Sequence, residues 1–405
     1  MADPKLFPKL FTELALRDLT LPNRIAVPPM LQYVAENGFP VDWHLMQYGR
    51  FAAGGAGLVF VESTKVERRG AGTLGDLFLT EDRYIEPLSR LAAIIKANGA
   101  RAGIQLGHSG RKARARRPWE GREPLTPSPD IPDWEAWQPV GPSALSYGPG
   151  WAPARALDRA EIPDAIDAWG QAARRAHAAG FEALELHAAH GYLLHSFFSP
   201  EANRRTDDYG GSEANRMRFI LEVVEAVRAH WPEGKPLFLR LSIEDEAGLG
   251  PAENIRLARA VRPLGVDVID CSTGGTTAKV PNFHRLNQYG FQVPYAAQVR
   301  REAEIMTMAV GLIVHADQAE AILQAGSADL VAVGREFLNN PCWGMDAAQK
   351  LGVDPGFDQV APQVGFWLGA RAARGMGCPP STWAPGLGED AARAASGAET
   401  VEAGQ

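Results

Sequence analysis

IPDAIDAWGQAARRAHAAGFEALELHAA, residues 162–189, changes period part-way along. Up to Gly180, apolar positions recur three and four residues apart (Ile162, Ile166, Trp169, Ala173, Ala176), which is one face of a helix. From Phe181 the apolar run is nearly continuous and too short for a second helix, so it reads as a strand buried on both faces. The same two patterns alternate along the rest of the chain. Strand-like runs are RIAVPPM (24–30), GAGLVFVEST (55–64), RAGIQLG (101–107), PLFLRLS (236–242), GVDVIDCSTGG (265–275), EIMTMAVGLIV (304–314) and ADLVAVGRE (328–336). Helical segments lie between them, the clearest being SEANRMRFILEVVEAVRAHW (212–231) with Ser212 as its N-cap. Eight strands and about eight helices imply a parallel sheet covered by helices. A closed eight-stranded barrel and a doubly wound open sheet compete. Eight units, with no GxGxxG after the first strand, favour an α/β fold of the TIM (β/α)8 type.

Composition agrees with one large core. Of 405 residues 45% are hydrophobic, so wholesale disorder is excluded. The expected organisation is a single barrel over 1–370, an irregular Pro-, Trp- and Arg-rich insertion after strand 3 (about 110–160), and a disordered C-terminal extension over 371–405. A net charge of −7 argues against nucleic acid or an anionic membrane as partner. Three cysteines, Cys271, Cys342 and Cys378, are too few and too scattered for a disulfide framework. With no apolar leader or membrane-length run in view, the expectation is a cytoplasmic protein.

A barrel places useful side chains at strand C-termini, and the sequence has them there. Pro28, Pro29 and Met30 end strand 1, Gln105 and His108 strand 3, His187 and His190 strand 4, and Arg240 strand 5. Gly311 follows strand 7, and Gly334 with Arg335 follows strand 8. Glycines let backbone N–H groups approach phosphate oxygens and arginine adds a charged fork, so these two loops read as a phosphate site; the alternative is two turn glycines and a surface arginine. HAAHGY (187–192) offers two imidazoles and the Tyr192 phenol to one pocket. Two neutral imidazole N–H groups can hold a carbonyl oxygen that gains negative charge, with the phenol as proton donor. The alternatives are a metal pair, as in a metal-dependent barrel lyase or hydrolase with His187 and His190 as ligands, and two structural histidines. Arg240 inside PLFLRLSI needs either a structural carboxylate or an anionic ligand. The basic run GHSGRKARARRPWEGRE (107–123) reads first as a solvated loop, and otherwise as a positive mouth to the site.

LPNRIAVPPMLQY, GIQLGHSGRKA, HAAHGYLLHSFFSPEANRRTDDYGGSEANRMRF and ADLVAVGREFL, taken together and in order, resemble the Old Yellow Enzyme family of FMN-dependent ene-reductases, in its thermophilic-like and xenobiotic reductase branch. The resemblance spans about residues 5–370. It implies a TIM barrel holding non-covalent FMN, with NADPH or NADH as hydride donor and an α,β-unsaturated carbonyl or nitro compound as acceptor, in ping-pong fashion. It implies flavin contacts from Pro28, Pro29, Met30, Leu31 and Ser63, pyrimidine contacts from Gln105 and Arg240, and phosphate contacts from Gly311, Gly334 and Arg335. His187 and His190 would hold the activating group, Tyr192 would donate the proton, and Tyr33, Lys112 and Trp367 would line the pocket. Relatives in this branch are homodimers or larger, so self-association is expected, and Arg371 or Arg374 would be the residue to reach a neighbouring subunit. One departure stands out. The branch carries a cysteine where this chain has Leu31, which predicts an altered flavin potential and a reshaped pocket. Trp134 and Trp137 of the insertion either fold over the site or anchor the loop.

Overall fold

The structure, a computed structural model, describes residues 8–278 and 288–375. Eight parallel strands close into a barrel in chain order: β1 (Ile25–Val27), β2 (Leu58–Lys65), β3 (Arg101–Gly107), β4 (Ala183–Ala188), β5 (Leu237–Ser242), β6 (Val268–Ser272), β7 (Met306–Ala309) and β8 (Leu330–Ala332). The sheet is closed, as the eight alternating units imply, and not a doubly wound open sheet. Most strands are shorter than their apolar runs. β1 stops at Val27, because Pro28 and Pro29 have no N–H to give a ladder. The outer ring includes α1 (Asp42–Ala53), α2 (Ile85–Ala97), α3 (Ile162–Ala178), α4 (Glu213–His230), α5 (Pro251–Val261), α6 (Val293–Ala303), α7 (Ala316–Gln324) and α8 (Trp343–Lys350). Ser212 caps α4 as read, its Oγ accepting the Asn215 N–H at 3.2 Å.

Period-2 alternation turns every second residue inward, and three adjacent strands show what this does. From bottom to top, β4 runs Ala183, Glu185, His187; β5 runs Phe238, Arg240, Ser242; β6 runs Val268, Asp270, Ser272. The lowest level belongs to an apolar cluster with Phe60, Met308 and Leu330, in which the Phe60 and Phe238 rings meet edge-on at 5.3 Å. Gly103 makes room there, since a Cβ on it would lie 2.5 Å from the Phe60 ring. Leu16, Leu19 and Leu21, from an antiparallel hairpin ahead of β1, complete this cluster and plug the barrel.

The insertion after β3 is irregular, as expected, with three-residue helical turns and a short parallel bridge between Val140–Gly141 and Arg155–Ala156. A last helix, α9 (Pro362–Ala372), spans the boundary expected at 370/371, and most of the expected tail lies outside the described residues. Among the described residues no helix is long and apolar enough to cross a membrane.

Candidate active site

The chain turns sharply where β4 ends. His190 has φ +57°, a left-handed conformation that costs a non-glycine residue roughly 1–3 kcal/mol and persists only where its surroundings fix it. Here they do so on all sides. Its N–H donates to Ser242 Oγ at 3.0 Å, and its carbonyl accepts from Lys112 Nζ at 2.9 Å. Gly275 lies so close that a Cβ would sit 2.7 Å from His190 Cα. The next residue, Gly191, donates its N–H to His195 Nδ1 at 2.9 Å, and His195 in turn is 3.2 Å from Asp245. Neither Asp245 nor His195 was singled out in the sequence.

The two imidazoles are neutral. His187 is buried and His190 half-buried, and desolvation together with the Arg240 and Lys112 charges holds their pKa values well below the ordinary histidine value. The hydrogen-bond network assigns the protons. His187 Nδ1 accepts the Ala189 N–H at 3.2 Å, so its proton is on Nε2, facing His190 Nδ1 at 3.3 Å. His190 then carries its proton on Nε2, 2.7 Å from Ser272 Oγ. Tyr192 packs against His187 with ring centroids 4.6 Å apart, and burial raises its pKa, so its hydroxyl keeps its proton. Among the described residues no group of three or more His, Cys, Asp or Glu side chains is placed to hold a metal. The two rings are engaged with each other and with Ser272 rather than converging on one point.

Two cavities meet at the His190–Ser272 contact. One, of about 380 Å³, is lined by Pro28, Pro29, Met30, Arg240, Gly311, Gly334 and Arg335, with Ser272, Gln292 and Leu312–Val314. The other, of about 460 Å³, is lined by Leu31, Tyr33, Lys112, His190 and Tyr192, with Tyr147, Trp151, Arg116 and Arg122 from the insertion. Met30 and Leu31 are consecutive and face different cavities.

Under them lies the charged level. Arg240 Nε is 3.0 Å from Asp270, and Gln105 donates to Glu185 at 2.7 Å. Two buried carboxyl groups thus face one guanidinium at the floor of the cavity. Burial and the Asp270 charge push the Glu185 pKa well up, which favours its protonated form. Arg240 makes no hydrogen bond to the described protein from its terminal nitrogens, and it lines the first cavity.

Most sequence-selected residues converge here, and some do not. Ser63 and Gln105 are buried beside the site, bonded to Lys65 and Glu185, and line neither cavity. Trp367 is on α9, 72% exposed and away from both cavities within this chain. Trp134 and Trp137 anchor the loop: Trp137 is fully buried, bonded to the Ala71 carbonyl and covered by Arg68 at 4.2 Å, and Arg114 stacks on Trp134 at 4.0 Å. The insertion aromatics that do line the site, Tyr147 and Trp151, were missed, although SYGPGW (146–151) placed them together.

The first cavity fits FMN. It offers a guanidinium without a protein hydrogen bond at one side and, at the other, Arg335 beside two glycines, of which Gly311 (φ +113°) would bring a Cβ within 3.1 Å of Phe291. Comparison with known proteins agrees: residues 9–353 match the NADH:flavin oxidoreductase / NADH oxidase family. The chain belongs to that family, the one that includes Old Yellow Enzyme. It is an FMN-dependent oxidoreductase with a nicotinamide hydride donor. An NADPH dehydrogenase from Geobacillus sp. (strain WCH70) is 41% identical over 347 residues, 85% of this chain and 94% of that protein. Among solved structures, morphinone reductase is 28% identical with a TM-score of 0.69, covering 84% of this chain and 90% of that one. The Old Yellow Enzyme homologue from Zymomonas mobilis is 26% identical with a TM-score of 0.68, covering 82% and 90%.

Proposed function

We propose that this flavoprotein reduces the activated C=C bond of α,β-unsaturated carbonyl or nitro compounds with hydride taken from NADPH or NADH, donor and acceptor occupying the same cavity in turn. The observation that carries the reading is the neutral His190 imidazole and the protonated Tyr192 phenol lining the cavity that adjoins the FMN trough, with the buried, neutral His187 packed against both. FMN, when bound, supplies a two-electron carrier that accepts and returns hydride.

The residues of this chain do the rest. Pro28, Pro29 and Met30 wall the trough, Arg240 presents its guanidinium to the pyrimidine edge, and Gly311, Gly334 and Arg335 hold the phosphate. Ser63 and Gln105 act from below, by fixing Lys65 and Glu185. His187 and His190 turn their N–H groups to the acceptor's oxygen, where negative charge grows as the bond is reduced. Once turned to that oxygen, neutral donors suit the task, because they stabilise the charge as it grows. Tyr192 delivers the proton at Cα. Tyr33 faces the same cavity with its pKa raised to about 12, so it too stays protonated at neutral pH. Trp367 and the arginines Arg371 and Arg374 enter this scheme only through a second copy of the chain.

The test is anaerobic. The purified protein is expected to carry FMN whose absorbance bleaches with NADPH or NADH and recovers on adding cyclohexenone, one acceptor reduced per nicotinamide oxidised. A colourless, metal-loaded protein, or bleached flavin that no enone or nitroalkene reoxidises, would refute the reading.

A further inference from the structure

The cations of the basic run 107–123 separate sharply in the structure. Arg111 donates to the Thr276 and Ser146 carbonyls, Lys112 to those of His190 and Gly275, Arg114 to that of Trp134, and Arg117 to the Tyr33 carbonyl and Glu120. Arg111, Lys112 and Arg117 fasten the insertion to the barrel mouth, and Arg114 ties the insertion to itself. Arg116 and Arg122 do nothing of the kind. Their side chains make no hydrogen bond or ion pair among the described residues, and both line the cavity that holds Tyr33, His190 and Tyr192. Both arginines are exposed at the cavity rim, and the Arg122 charge acts on Tyr33, Tyr147, Lys112 and Tyr192 across that cavity.

Nearby acids do not neutralise these cations. Asp76 lines the cavity, but its oxygens accept from the Gly72 N–H and the Thr73 hydroxyl at 2.7 Å, and Lys65 lies 3.5 Å away. Glu246 accepts the Gly275 N–H at 3.1 Å and the Thr277 N–H at 2.6 Å. Lys112 adds a third cation to the wall. A protein with net charge −7 thus keeps two uncommitted guanidinium groups and an ammonium on one cavity, an arrangement that attracts and orients an anion.

We propose that Arg116 and Arg122 form an anion subsite at the mouth of the acceptor cavity, which receives a carboxylate or phosphate group carried by a molecule whose other end reaches His190 and Tyr192. The inference rests on the ene-reductase reading for what happens at that other end. The anionic group has two sources, a carboxylate on the acceptor and a phosphate of the dinucleotide donor, and both meet the same two forks.

Arg116→Gln, Arg122→Gln and the double variant test it, with bound flavin content confirming that each folds. In one arm the reduced enzyme is reoxidised by a neutral enone and by the same enone skeleton bearing a distal carboxylate. In the other the oxidised enzyme is reduced by NADPH and by NADH. A third measurement needs no turnover: titration with a saturated carboxylate and with 2′,5′-ADP, followed through the absorbance of the bound flavin. Loss of about fivefold in affinity per arginine, and on the order of twentyfold for the pair, is expected for the anionic partner only. The loss should shrink as salt is added. A loss confined to the carboxylated enone assigns the acceptor, and one confined to the dinucleotides assigns the donor. Unchanged binding of every anionic probe in the double variant overturns the proposal. Failure of wild-type enzyme to reduce any enone would instead defeat the ene-reductase reading, while the titrations would still decide the subsite.

Discussion

The lowest and the upper levels of the barrel interior are built on the same strands, two residues apart, and are opposites. At the bottom, Phe60, Phe238, Met308 and Leu330 fill space without a polar atom, and the N-terminal hairpin seals them in. Two residues higher, Glu185 and Asp270 are just as enclosed, and with Arg240, which reaches the cavity above, they depend on one another, because a buried charge stripped of its partner costs several kcal/mol. One more step up, His187, Ser242 and Ser272 form the floor of the site. The lower level secures the barrel. The upper levels spend some of that stability on holding donors and an arginine in fixed directions.

The contrast predicts separable effects. Phe60→Ala should cost the most, about 3–5 kcal/mol of stability, through an interior cavity. Chemical denaturation would show it, and flavin binding and turnover at low temperature should survive; a parallel loss of both would mean the levels are not independent. His190→Ala or His187→Ala should do the reverse, lowering acceptor reduction by roughly 10²–10³-fold, about 2.7–4 kcal/mol in the barrier, in stopped-flow reoxidation. Flavin reduction by NADPH should change far less.

The pH dependence divides in the same way. His187 and His190 have depressed pKa values, so the unfolded chain binds more protons below the ordinary histidine pKa of about 6.5. Their contribution is present above that pH and lost as pH falls through it. Glu185 has the opposite sign: its raised pKa gives stability that is present below the unfolded carboxyl value and fades as pH rises through the folded one. Urea midpoints from pH 5 to 9 should therefore fall at both ends, and Glu185→Gln should flatten the alkaline limb. An unchanged alkaline limb would show that Glu185 is ionised in the native state. Gly275→Ala should cost about 1–2 kcal/mol, since alanine must adopt φ +93° and presses on His190. A crystal structure of the variant should show His190 displaced from Ser272. Leu31→Cys should have the smallest effect on folding, yet it should shift the flavin midpoint potential and the acceptor profile; identical values would remove Leu31 from beside the ring.

Much of this was legible in the chain. Alternating periods gave eight strands and a closed barrel, and the strand-end residues Pro28–Met30, His190, Arg240, Gly311 and Gly334–Arg335 do line adjoining cavities. The three interior levels were in plain view as ALELH, FLRLS and VIDCS, but a strand buried on both faces hides its own alternation. Glu185 and Asp270 read as interruptions in apolar runs until the barrel closed them around Arg240. Nothing local in the sequence separates Trp134 and Trp137 from Tyr147 and Trp151. Only the path of the insertion sent one pair into the loop's own core and the other to the cavity.

The sequence alone determined the architecture and which side chains stand at the strand ends, because periodicity and the residues at strand ends are local properties that any packing of those strands must respect. The tertiary structure alone decided the electrostatics: which imidazole nitrogen bears the proton, which acid keeps one, and which two of the clustered arginines remain uncommitted. Those depend on distances between residues far apart in the chain, and in a low-dielectric interior a change of a few ångströms determines whether a charge is carried at all.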